Sequence, residues 1–150
     1  MAHKNELPSF DISKYLVQLY VYATAFNYPW ELAQASFFNG MSNGGVAWVH
    51  CLGSALGDGV ITLMVYLVGG ALYRSWSWSY RMSMQKYMTV AVIGFVVGAT
   101  IEWIALNVLH RWSYAWNMPV VPLLHLGIFP LLQMVFLLPI IFFLASRYRI

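Results

Sequence analysis

Four stretches of more than twenty predominantly apolar residues follow one another along the chain, at about 15–38, 46–73, 87–109 and 120–146, joined by short links. Each is long enough to cross the roughly 30 Å hydrocarbon core of a bilayer as a helix. Only helices and closed barrels satisfy their backbone hydrogen bonds in lipid, and apolar runs of this length select the helix. Charged residues make up 9% of the chain and apolar ones 61%, too few charges to clothe a water-facing surface. The expectation is an all-α integral membrane four-helix bundle in which residues 1–150 form a single transmembrane domain.

The basic residues predict the orientation. Lys4 and Lys14 precede the first stretch, Arg74, Arg81 and Lys86 lie between the second and third, and Arg147 and Arg149 follow the fourth. Only Arg111 falls in the remaining link. The positive-inside rule then puts both termini and the middle link in the cytoplasm. The aromatic link of 110–119 faces the other side of a multi-pass protein of the cell inner membrane. The polar start, MAHKNELPSFDISK, lacks the apolar core and small-residue cleavage site of a signal peptide, so the first span is expected to direct insertion. Trp76, Trp78 and Tyr80 suit a belt at headgroup level. Lys and Arg are scattered, which excludes a nucleic-acid patch. Cys51 is the one cysteine and forms no intramolecular disulfide; beside His50 on a helix it faces away from whatever His50 faces.

Three of the five carboxylates, Glu31, Asp58 and Glu102, fall within the apolar stretches. An Asp at a helix centre costs about 2.5–3.5 kcal/mol even on insertion scales. Acids kept there serve chemistry, binding or helix association. Asn27, Glu31 and Gln34 recur at helical spacing on the first stretch, His50, Ser54, Asp58 and Thr62 on the second, Gly94, Gly98 and Glu102 on the third, and His125, Phe129 and Gln133 on the fourth. Polar faces in a membrane turn inward. The expected product is a shared interior site, opening to the extracytoplasmic side, with His50 and His125 each about one turn into their helices. Glu31, Glu102, His50 and Asp58 are the candidate acid–base residues. Trp30, Gln34, Trp103, Arg111, Tyr114, His125 and Gln133 are the candidate binding residues. Structural roles compete with these: Glu31 and Glu102 can be interhelical glue or partners of Arg111, Asp58 can pair with His50 through Ser54, and Gln34 and Gln133 can be contacts between helices. The link around Arg111 is either an interfacial loop or a lid.

Gly53-x-x-x-Gly57 and Gly94-x-x-x-Gly98 are spaced for close helix contact. Pro29, Pro130 and Pro139 can kink their helices and open a cavity. His50, His125, Glu31 and Glu102 could form a carboxylate–imidazole metal site, although no helix carries a His-x-x-x-His or Glu-x-x-His pair.

The strings Trp30-Glu31-x-x-Gln34, His50-Cys51 with Gly57-Asp58, Glu102-Trp103, Arg111-Trp112-x-Tyr114-x-x-x-Met118-Pro119-x-x-Pro122 and Pro130-Leu131-Leu132-Gln133 span most of the chain. Together they resemble a family of small bacterial four-span membrane proteins, a resemblance that implies a fold and no chemistry. Asn27-Tyr28-Pro29-Trp30-Glu31 also resembles the Asn-x-x-Trp-Glu string of membrane-embedded isoprenoid cyclases. Over these five residues it implies that Glu31 protonates an olefin or epoxide; those enzymes are longer, with more spans. The function expected is binding or processing of a lipophilic, isoprenoid- or quinone-like molecule, with a membrane lipid or similar small molecule as partner. The alternatives are an accessory subunit of a larger membrane complex or homo-oligomer, and a metal- or ion-handling protein.

Overall fold

Asp11 sets the start of the first helix: its carboxylate accepts from the backbone N–H groups of Ser13, at 3.0 Å, and Lys14, at 3.3 Å, donors that a helix N-terminus leaves without partners. In this computed structural model, which describes residues 11–41 and 44–148, the helix α1 then runs over Ile12–Gln34. It is followed by α2 (Gly44–Leu72), α3 (Met84–Asn107, capped by Ser83) and α4 (Ile128–Arg147). A two-residue hairpin, β1 (Val120–Val121) paired antiparallel with β2 (Leu126–Gly127), precedes α4. Lys4, Arg149 and the Ser42-Asn43 part of the first link lie outside the described residues.

The chain is mostly helical, as its apolar runs require. Three helices, over Ala47–Leu72, Met84–Asn107 and Ile128–Arg147, are long and apolar enough to cross a membrane. The expectation was four. Helix α1 has the length, but Gln18, Asn27, Glu31 and Gln34 lower its apolarity. Gln18, Asn27 and Gln34 are buried against the other helices.

The fourth stretch departs most from expectation. It begins as a helix at Ile128 rather than near 120. Pro119 and Pro122 lack the N–H groups that a helix needs and bias the residues before them away from it. The chain instead folds back through a tight turn in which the N–H groups of Leu124 and His125 both reach the carbonyl of Val121. His125 takes a left-handed φ of 54°. Pro130 then sits in the first turn of α4, where its missing N–H leaves no gap in the helix ladder. Pro29 and Pro139 are the prolines inside helices.

Helix α1 packs along α2 and against α4, and α3 packs against α4, whereas α2 and α3 scarcely meet. The bundle is therefore closed on three sides and parted on the fourth. One end is tightly filled. Tyr15 and Leu19 of α1, Tyr66 of α2, Val90 of α3 and Phe142 of α4 form a continuous buried core there. Trp78, expected at headgroup level, is instead 2% exposed in that core. Its indole N–H donates to the carbonyl of Tyr66 at 3.0 Å. Its ring stacks on Tyr73 and lies against Phe142, in space that Gly69 leaves free by having no side chain. Trp76 does remain exposed.

The two glycine pairs differ. A Cβ on Gly94 would lie 2.8 Å from the backbone oxygen of Met134, and one on Gly98 the same distance from the Met134 side chain. These glycines let α3 touch α4. Gly53 and Gly57 have nothing within 4 Å of where a Cβ would stand, so they face open space and make no helix contact. Gly94→Ala is expected to destabilise the protein by about 1–3 kcal/mol through overpacking. Gly53→Ala is expected to be neutral or to stabilise it by up to about 1 kcal/mol through helix propensity. Unfolding midpoints in detergent for the two variants against wild type check both.

Candidate functional site

Gln133 projects from the second turn of α4 into the space between α1 and α2. It is 2% exposed. Its amide nitrogen lies 2.8 Å from Asn27 Oδ1, 2.9 Å from Glu31 Oε1 and 2.9 Å from Asp58 Oδ2. Glu31 and Asp58 thus share one nitrogen, and their bonded oxygens are no further apart than twice that distance. Gln34 donates to Glu31 Oε1 at 2.9 Å and to Gln133 Oε1 at 3.0 Å. Asn27 donates to the carbonyl of Ala23 at 2.8 Å, which turns its own oxygen toward Gln133. The spacing of Asn27, Glu31 and Gln34 on α1 puts all three on the face that meets α4. A long neutral amide suits the hub position because it both donates and accepts.

Glu102 is held differently. Its Oε1 accepts from the Tyr114 hydroxyl at 2.6 Å and from the Trp112 indole N–H at 3.3 Å. The Tyr114 hydroxyl in turn accepts from the backbone N–H of Gly127 at 2.7 Å. One tyrosine therefore ties α3 to the hairpin that starts α4. The same link is stitched to the end of α1. Asn39 N–H donates to Ser113 O and Ala115 N–H to Phe37 O, and the Asn39 amide reaches Ser113 and Tyr114. The aromatic link thus lies over the bundle end, with Met118 buried beneath it and Trp116 98% exposed above. Burial, followed by the Glu102 carboxyl that it bonds, holds the Tyr114 phenol well above its ordinary value of 10.0.

Several of these groups line one cavity of about 1000 Å³, whereas Asn27 and Tyr114 are not part of its wall. Glu31, Gln34, Asp58, Glu102 and Gln133 form its polar part, and Gly53, Gly57 and Val60 of α2 with Gly98 and Ile101 of α3 form apolar walls. The cavity occupies the parting between α2 and α3. His50 and Arg111 also line it, but both are exposed. Neither bonds to a carboxylate: among the described residues no Lys, Arg or His side chain pairs with Glu31, Asp58 or Glu102. Asp58 takes its bond from Gln133, and its partner is not His50 through Ser54.

The remaining candidates lie elsewhere. His125 is exposed on the hairpin, off the helix on which its spacing with Phe129 and Gln133 placed it. The prolines that end the helical register there explain the displacement. Trp103 is 51% exposed on the outer face of α3. Trp30 is partly buried with its indole N–H unpartnered, and it is not part of the cavity wall. Cys51 is buried and is not part of the cavity wall that His50 lines. Among the described residues no three His, Cys, Asp or Glu side chains come together to hold a metal ion. Sequence reasoning missed Trp112 as a partner of Glu102 and as cavity wall; its place one residue after Arg111 in an aromatic link was the available signal.

Removing the Tyr114 hydroxyl deprives Glu102 and Gly127 of a partner at once. Tyr114→Phe is expected to cost about 1–3 kcal/mol and to speed amide hydrogen exchange at Gly127. With the phenol raised above its unfolded value, the tether is intact below pH ~10 and weakens as the pH rises beyond it. Exchange at Gly127, corrected for its intrinsic pH dependence, measured across that range in wild type and variant checks both expectations.

No protein-family model, curated protein or solved structure matches the chain.

Proposed function

We propose that the chain is a multi-pass membrane protein that takes up a lipophilic molecule through the parting between α2 and α3, with the polar end of that molecule at Glu31, Asp58 and Glu102. The observation that carries this is the cavity itself. It has room for a drug-sized or larger ligand, apolar walls and a small set of convergent polar groups, the make-up of small-molecule sites in general. Its open side lies between two apolar helices, where acyl chains reach it directly.

The surface supports the membrane setting. Val49, Leu72, Met84, Val96 and Phe136 are among many large apolar side chains left exposed around the helices, far beyond the scattered few that a water-facing surface carries. Helix α1 completes the set as a fourth span: Gln18, Asn27 and Gln34 face inward, and Val17, Val21 and Phe26 face out. Lys14, Arg74, Arg81, Lys86 and Arg147 lie at the filled end and Arg111 at the cavity end. By the positive-inside rule both termini are cytoplasmic and the cavity belongs to the outer leaflet of the cell inner membrane. Glu31 and Asp58 are the groups placed to give a proton to, or take one from, a bound molecule. Glu102, engaged by two aromatic donors from the link, positions the covering loop.

Purification in a mild detergent, followed by mass spectrometry of extracted lipids, tests the proposal. A specific lipophile is expected with the wild-type protein. A Cβ at Gly53 meets nothing within 4 Å and the residue lines the cavity, so Gly53→Leu, which projects its side chain into that space, is expected to lose that molecule, by about tenfold or more, while keeping the wild-type unfolding midpoint. Equal retention by Gly53→Leu, or a lipid profile no different from an unrelated membrane protein, overturns the proposal.

A further inference from the structure

With Glu31, Asp58 and Glu102 ionised, the polar end of the cavity has more acceptors than donors, and that imbalance bears on what it can bind. The Gln133 amide nitrogen carries two protons and faces three oxygens. The two protons of Gln34 Nε2 are already used on Glu31 and Gln133. Gln34 is 5% exposed and part of the cavity wall, yet its Oε1 has no hydrogen-bond partner. The bonds to Glu31 and Glu102 all fall on Oε1, and the one to Asp58 falls on Oδ2. The second oxygen of each carboxyl group is left without a donor among the described residues. Among the described residues no basic side chain pairs with these acids; Arg111 and His50 stand at the exposed rim.

Buried acceptors without donors are costly, and charged ones more so. A ligand that brings further acceptors, such as a carboxylate or phosphate, worsens the imbalance. A hydroxyl brings one donor. An ammonium brings three and a compensating charge, and its hydrogen bonds to carboxylates are of the stronger, charge-assisted kind. Building on the reading of the cavity as a lipophile site, we propose that the molecule it takes is an amphiphile whose head group is a protonated amine, seated against Glu31 and Asp58.

Three twelve-carbon probes that differ only in head group test this: dodecylamine, dodecanol and lauric acid, each titrated against the purified protein in detergent at pH 7 and counted by native mass spectrometry. Dodecylamine is expected to bind at least about tenfold more tightly than dodecanol, and laurate more weakly than either. Glu31→Gln and Asp58→Asn are each expected to weaken the amine about tenfold and to change the alcohol by less than about twofold. The ranking of the probes on wild-type protein needs no variant to fold. If all three bind alike and Gly53→Leu weakens them together, the head-group inference falls and the lipophile site stands. If none binds above the Gly53→Leu background, both fall.

Discussion

One amide nitrogen joins three helices. Gln133 Nε2 of α4 meets Asn27 and Glu31 of α1 and Asp58 of α2. In lipid, apolar surfaces gain little by leaving one kind of hydrocarbon for another, so helix association relies on close packing and interhelical hydrogen bonds. The Gln133 cluster supplies the bonds, and Gly94 and Gly98 supply the close approach of α3 to α4. Helix α3 takes no part in the Gln133 cluster. It is held by its packing on α4 and through Glu102, Tyr114 and Gly127, and this leaves its far side free to stand apart from α2.

The two ends of the bundle differ in how they are filled. Around Trp78 the side chains interlock, and the polar groups among them, such as the Trp78 indole N–H and Lys86, bond to backbone carbonyls. Around Gln133 the carboxyl groups share donors and part of the volume is empty. Both follow from side-chain size along α2: Tyr66 fills one end, while Gly53 and Gly57 leave the other open. A bundle built this way is closely packed at one end and hollow at the other.

Much of this was legible in the sequence. Apolar runs located three helices to within a few residues, and helical spacing placed Asn27, Glu31 and Gln34 on one face and Asp58 toward the same interior. Depth along the helix put Glu31 and Glu102 at one level, and they do line one cavity. Spacing failed where proline intervened: counting back from Gln133 assumed a helix through His125, but Pro119 and Pro122 had already turned the chain. It also failed where a motif has two meanings. Gly-x-x-x-Gly marks close contact on α3 and open space on α2, and only the neighbouring helix distinguishes them. The hub role of Gln133 was hidden for a similar reason. A glutamine looks alike in sequence whether it bonds one neighbour or four, and its partners come from residues 27 to 58, on other helices.

Trp78 has a consequence for traffic. With its indole wedged among Tyr66, Tyr73 and Phe142, the bundle is plugged below its cavity. The hollow is a blind alley rather than a conduit, closed off at the filled end and open along the parting between α2 and α3.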